Sequence, residues 1–112
     1  MIEVQQLQGG LTKLVLSGRI DFAGAQAIEA PMRALAAEGQ AVVVDISGVE
    51  FMASMGLRIL ITFAKTVKAK GGRVALLGPR RNVAEVILVS GVDELIPVYA
   101  GEDEAVAAVI PA

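Results

Sequence analysis

Asp21, Asp45 and Ser54 are the side chains whose type and setting could do chemistry in this sequence. Two carboxylates at the ends of strands could divide acid and base roles between them, as hydrolytic chemistry requires when their environments push the two pKa values apart. Asp21 closes Gly18-Arg19-Ile20-Asp21, and Asp45 follows the apolar run Ala41-Val42-Val43-Val44. Each is equally suited to capping a helix or fastening a loop, and with no histidine, metal or second acid beside it that structural role is the expectation. Ser54 stands after Phe51-Met52-Ala53, where a strand gives way to helical spacing. A serine there can cap the exposed first-turn amides of a helix. The same N–H groups, at the positive end of the helix dipole, would also receive a phosphate carried on that hydroxyl. The residue types alone leave both readings open.

Neither histidine nor cysteine occurs in the 112 residues. This excludes His-dependent acid–base mechanisms, thiolate nucleophiles, disulfides and the usual zinc ligand sets. No catalytic residue, metal or cofactor is therefore expected. The 12 glycines invite a search for a phosphate-cradling loop, but Gly9-Gly10-Leu11-Thr12-Lys13 reads as a hairpin turn and no dinucleotide or P-loop spacing occurs. Aromatic residues make up only 4%, too few for the stacking platforms of single-strand binders, so nucleic acid is not an expected partner. The net charge is −2, and six of the 10 cations (Lys65, Lys68, Lys70, Arg73, Arg80, Arg81) fall in one stretch. Their expected role is to solvate a helix face and offset the negative end of its dipole. The start Met1-Ile2-Glu3-Val4-Gln5-Gln6 lacks the pattern of a signal peptide, and no run approaches the ~20 apolar residues of a membrane span. A soluble cytoplasmic protein is the expectation, without membrane insertion.

The elements that must hold these residues follow from periodicity. Residues 1–18 alternate as a β-hairpin around Gln8-Gly9-Gly10. From Asp21 the period becomes helical through Ala25, Ile28, Met32 and Leu35, closing at Gly39, with Pro31 expected to remove one backbone bond and bend the helix. Ala41 to Ile46 reads as a strand buried on both faces, running out at Asp45 into a loop that leads to Ser54. A helix from Ser54 to Lys70, a strand from Arg73 to Leu77, a helix from Asn82 to Val89, a strand from Ile96 to Tyr99 and a helix from Asp103 to Val109 complete the order ββαβαβαβα. The expected fold is a single α/β domain over 1–112: about four helices and a mixed, mostly parallel sheet of about five strands with an antiparallel N-terminal hairpin.

These motifs carry a family resemblance. Val44-Asp45-Ile46-Ser47-Gly48-Val49-Glu50-Phe51-Met52-Ala53-Ser54-Met55-Gly56-Leu57, preceded by Gly18-Arg19-Ile20-Asp21 and followed by Lys70-Gly71-Gly72-Arg73 and Val89-Ser90-Gly91-Val92, resembles the STAS domain of bacterial anti-sigma-factor antagonists. The resemblance implies a phosphorylation-controlled partner switch, with no enzymatic activity of its own. The unmodified protein would bind an anti-sigma factor that is also a serine kinase of the HATPase type, releasing the sigma factor. Phosphorylation of the serine two residues before the motif glycine, here Ser54 before Gly56, would abolish binding, and a serine phosphatase would reverse it. The family run is Asp-Ser-[Ser/Thr]-Gly, where this chain has Ala53-Ser54-Met55-Gly56. Asp21 matches an acid that the family places near the phosphosite. The same fold also serves as a small subunit of lipid-trafficking ABC transporters, binding the ATPase without phosphorylation.

Helical geometry adds an expectation of its own. At 3.6 residues per turn, Leu57, Leu60, Ile61, Ala64 and the stem of Lys68 share one face, taken as the side packed on the sheet. Met55 and Ile59 then point outward with Arg58, Thr62 and Thr66. The expected partner surface is Asp21, Ser54, Met55, Gly56, Arg58 and Ile59.

Overall fold

A computed structural model describes residues 2–110; Met1 and residues 111–112, included above in the domain, lie outside the described residues. Strands β1 (Ile2–Leu7) and β2 (Leu11–Ile20) form the hairpin. They are followed by α1 (Phe22–Ala36), β3 (Ala41–Met52), α2 (Ser54–Ala69), β4 (Val74–Leu77), α3 (Arg81–Ser90), α4 (Val92–Leu95), β5 (Val98–Tyr99) and α5 (Glu102–Val109). The five-stranded sheet runs in sequence order, β1-β2-β3-β4-β5, with β1 antiparallel to β2 and every other pair parallel. This is the expected mixed α/β sheet with one further element. The short α4 sits where Gly91, at φ 81, ends α3 and starts a new turn, a backbone state that favours glycine.

Alternation along the strands sorts the helices onto two faces. Leu14, Leu16 and Ile20 of β2 and Val42, Val44 and Ile46 of β3 point to one side, under α1, α2, α3 and α4. Leu11, Val43, Ala75 and Leu77 point to the other, where Ala105 and Val109 of α5 meet them, with Val106 and Tyr99 packed alongside. The continuous valine run of β3 is explained by this sandwiching, since both sides of that strand lose water. α1 continues unbroken across Pro31. Ala27, whose carbonyl loses its helical partner to the proline ring, and Pro31 itself both face solvent, so water can satisfy the orphaned acceptor.

β3 departs from expectation. It does not run out at Asp45 into a loop but continues to Met52. Its extension pairs with β2 irregularly: β2 advances five residues from Val15 to Ile20 while β3 advances seven from Asp45 to Met52, so two bulges swell the strand. β4 pairs only as far as Asp45 and Leu77, leaving the carbonyls beyond without a strand partner. Side chains take them instead: Arg80 Nε donates to the Ser47 carbonyl at 3.0 Å, and Asn82 Nδ2 donates to the Glu50 carbonyl at 2.8 Å. The Asp45 carboxylate accepts from the Ser47 amide at 3.0 Å and from its hydroxyl at 2.7 Å. Long-range polar contacts thus hold extended a segment whose own composition reads as loop.

Candidate functional site

The ends of β2 and β3 lie side by side, Ile20 opposite Met52, and the Ala53 amide donates to the Ile20 carbonyl at 2.9 Å. Two helices leave from this one edge. α1 starts at Phe22 with Asp21 as its cap: Asp21 Oδ1 accepts from the Gly24 amide at 2.9 Å. α2 starts at Ser54, and its cap position is Ala53, with φ −82 and ψ 166 and no side-chain hydrogen bond. Ser54 is therefore not the cap that a serine at a helix start suggests. It is the first helical residue, exposed, beside first-turn amides that no side chain satisfies.

Each helix carries glycine at its third position, and both glycines are buried. A Cβ on Gly56 would stand 2.5 Å from Met52 Sδ and 2.7 Å from Ile20 Cγ2, and one on Gly24 would collide with the Arg19 carbonyl oxygen. These absent methyls let both first turns press against the strand ends. Gly56, expected at the partner surface, therefore works from beneath: it draws Ser54 against the edge without offering contact area itself.

Three large apolar side chains are exposed at this edge. Phe22 is 61% exposed, Phe51 37% and Met55 36%, and all three flank the strand ends or open a helix there. The Arg19 guanidinium lies 4.6 Å from the centre of the Phe51 ring, and Arg19 Nε stands 4.0 Å from Asp21 Oδ2. Arg58 is exposed one turn into α2, as expected. Ile59 is not: it is 8% exposed and lies with Met32, Ala36 and Phe63 where α1 packs alongside α2. The buried arc of α2 takes in Ile59, Phe63 and Val67, and Lys68 is exposed instead of packed. Periodicity located the helix but placed its buried face as though only the sheet covered it. With the neighbouring helix also covering it, the arc widens toward α1.

Periodicity also missed Phe22 and Phe51. Phe22 is three residues before buried Ala25, in phase with the core stripe, so spacing alone would bury it. Only its place in the first turn, beyond the strand ends, leaves it in water.

Asp21 and Asp45 do not form a pair. Asp45 lies opposite Val15 whereas Asp21 follows Ile20, so about 20 Å of strand separates them at ~3.3 Å per residue. Asp45 instead stands 3.7 Å from Lys13 Nζ, which also bonds Glu102 at the start of α5. The bond to Glu102, opposed by burial and helped by both carboxylate charges, raises the Lys13 pKa above its ordinary 10.5. This cluster ties α5 to the sheet.

Comparison with known proteins bears on the chain as a whole. The chain is 30% identical over 100 residues to BtrV of Bordetella bronchiseptica, assigned as an anti-sigma factor antagonist, covering 88% of this chain and 86% of that one. An anti-sigma factor antagonist from Mycobacterium paratuberculosis superposes with a TM-score of 0.86 at 30% identity, covering 97% of this chain and 92% of that one. The fold is shared with the Bacillus anti-sigma factor antagonist SpoIIAA in its unphosphorylated form, with a TM-score of 0.80 at 22% identity over 96% and 95% of the two chains. The STAS domain pattern itself matches residues 2–105, taking in both helix starts, the bulged β3 and the α5 tether, and the chain belongs to the STAS domain family.

Proposed function

We propose that this protein is an anti-sigma-factor antagonist that works as a phosphorylation-controlled partner switch. Its unmodified form binds an anti-sigma factor that is also a serine kinase of the HATPase type, and so frees the sigma factor. Phosphorylation of Ser54 ends that binding, and a serine phosphatase restores it. The observation that carries this reading is the exposed hydroxyl of Ser54 at the uncapped start of α2, amid the exposed side chains of Phe22, Phe51 and Met55.

The physics of the switch is local. Exposed aromatic and methionine side chains supply adaptable apolar area to a partner, and Arg19 and Arg58 supply polar contacts at its margin. A phosphate on Ser54 adds about −1.5 to −2 charge. The open amides of α2 stabilise it on the free protein, while a docked partner would have to strip its water. The modification is therefore compatible with the fold and unfavourable to the complex. Asp21, the cap of α1 on the same edge, belongs to the docking surface in this reading, with Met55 and Arg58.

The test is co-purification from the source cell with unmodified protein and with Ser54→Asp, read by mass spectrometry, followed by incubation of the captured kinase with ATP. Capture of an HATPase-type kinase by the unmodified protein, its loss with Ser54→Asp, and phosphate found at Ser54 are the expected results. Phosphate at another residue, or capture of a transporter ATPase irrespective of Ser54, would overturn the switch.

A further inference from the structure

We propose that the cleft between the C-terminal half of α2, the start of β4 and the α4–β5 connection binds an amphipathic anion: a medium-chain carboxylate with its chain in the cleft and its headgroup on Lys65, Lys68 and Arg73. The cleft holds about 270 Å³, and its apolar lining is Ala64, Val74, Leu95, Pro97 and Ala108. The charged residues that line it are Lys65, Lys68 and Arg73, with no carboxylate among them. In a chain of net charge −2 this is a local inversion of sign. The ion pairs among the described residues use Lys13, Arg19, Arg33 and Arg81, so none engages a cation of the cleft.

Solvation of a helix end accounts for part of this cluster, since Lys68 lies in the last turn of α2. It does not account for Arg73, which arrives from the strand side, or for the apolar surface left open between the cations, where Leu95 is 40% exposed. A purely hydrophilic anion would leave that surface wet, and a neutral apolar ligand would leave three cations unanswered. A carboxylate on a hydrocarbon chain answers both. The volume equals about nine waters at ~30 Å³ each, which suits a chain of about eight to ten carbons. Ser54 lies at the opposite end of α2, about 20 Å away at 1.5 Å per residue, so the cleft is separate from the docking edge and does not depend on its reading.

The test is titration of the full chain with decanoate below its micellar concentration, followed by calorimetry and by amide NMR shifts. Saturable binding is expected, with shifts centred on Ala64, Val74, Leu95 and Ala108. Each methylene removed should weaken it about fourfold, so octanoate should bind roughly fifteenfold more weakly. Decanol, and the double variant Lys68→Gln with Arg73→Gln, should each lose tenfold or more, with the variant's circular dichroism unchanged because both side chains are exposed. Equal affinity for decanol, no dependence on chain length, shifts elsewhere on the surface, or no saturable binding would each overturn the proposal. So would an acidic peptide occupying the cleft where decanoate does not.

Discussion

Replacing Ala53 with Asp should stabilise this protein by about 1 kcal/mol, because α1 and α2 begin unequally. α1 has a carboxylate accepting from its third residue, Asp21 to the Gly24 amide at 2.9 Å, whereas α2 has none. In α2 the Gly56 and Leu57 amides turn back to the Ala53 carbonyl at 2.9 and 3.2 Å, which leaves the Ser54 and Met55 amides without a helical partner. Ala53 already has the extended φ and ψ of a cap residue, −82 and 166, so an introduced carboxylate needs no backbone rearrangement. A cap is worth ~0.5–2 kcal/mol and the acid's interaction with the dipole ~0.3–1 kcal/mol. The two describe overlapping contacts and together amount to about 1 kcal/mol. In a domain of this size that corresponds to a rise in Tm of about 4 °C. Urea denaturation should show a higher midpoint at unchanged slope, with slower hydrogen exchange at Met55 and Gly56. Asp21→Ala is the control of opposite sign, losing about 1 kcal/mol by the same mechanism. An unchanged or lower midpoint for Ala53→Asp, with Asp21→Ala behaving as expected, would refute the uncapped start on which the phosphate-accepting reading of Ser54 rests.

Gly24→Ala should destabilise more than Gly56→Ala, since the first meets the backbone oxygen of Arg19 and the second only side chains, the flexible Met52 sulfur and a methyl of Ile20. Overpacking of the second kind costs about 1–3 kcal/mol, and urea midpoints would contradict the close packing of both helix starts if Gly24→Ala stabilised as an ordinary helical glycine replacement does. Phe22→Ser with Phe51→Ser should leave the fold intact and weaken capture of the partner tenfold or more, about 1.4 kcal/mol; unchanged affinity in a binding titration would move the docking surface away from the aromatic pair. The raised pKa of Lys13 means that the folded state holds this proton more tightly than the unfolded chain, chiefly through Glu102. Its stabilisation is then complete below about pH 10 and lost as pH rises through the raised value. Denaturation of the wild type and of Lys13→Met should therefore converge above that range; a constant difference across it would show that the ion pair contributes nothing.

The order of strands and helices apart from α4, the single α/β domain and the cap at Asp21 were legible in the sequence because each depends on neighbours within a few residues: alternation of period two, helical period, a carboxylate before a helix, glycines after one. The position of Ser54 at the start of α2 was legible for the same reason. Its role within that turn was not, because whether a serine is the cap or the first helical residue depends on which carbonyl accepts the first helical bonds, here that of Ala53, which takes the Gly56 and Leu57 amides.

Everything else about the site was decided by contacts distant in sequence. Composition marks Ser47 to Glu50 as a loop, yet Arg80 and Asn82, more than thirty residues on, satisfy its carbonyls and hold it as strand. Periodicity makes Ile59 an outward residue, but α1 lies beside α2 and buries it. Phe22 is in phase with the core and still faces water, because the sheet ends beneath it. Lys65, Lys68 and Arg73 read along the chain as one charged stretch; only the turn at Gly71-Gly72, which brings β4 back beside α2, sets them around an apolar cleft. Local physical chemistry determined which elements form and where they start, since propensity and capping act within a turn or two. Which faces are covered, and so which side chains remain to meet a partner, depended on the packing of elements against one another, which no local window contains.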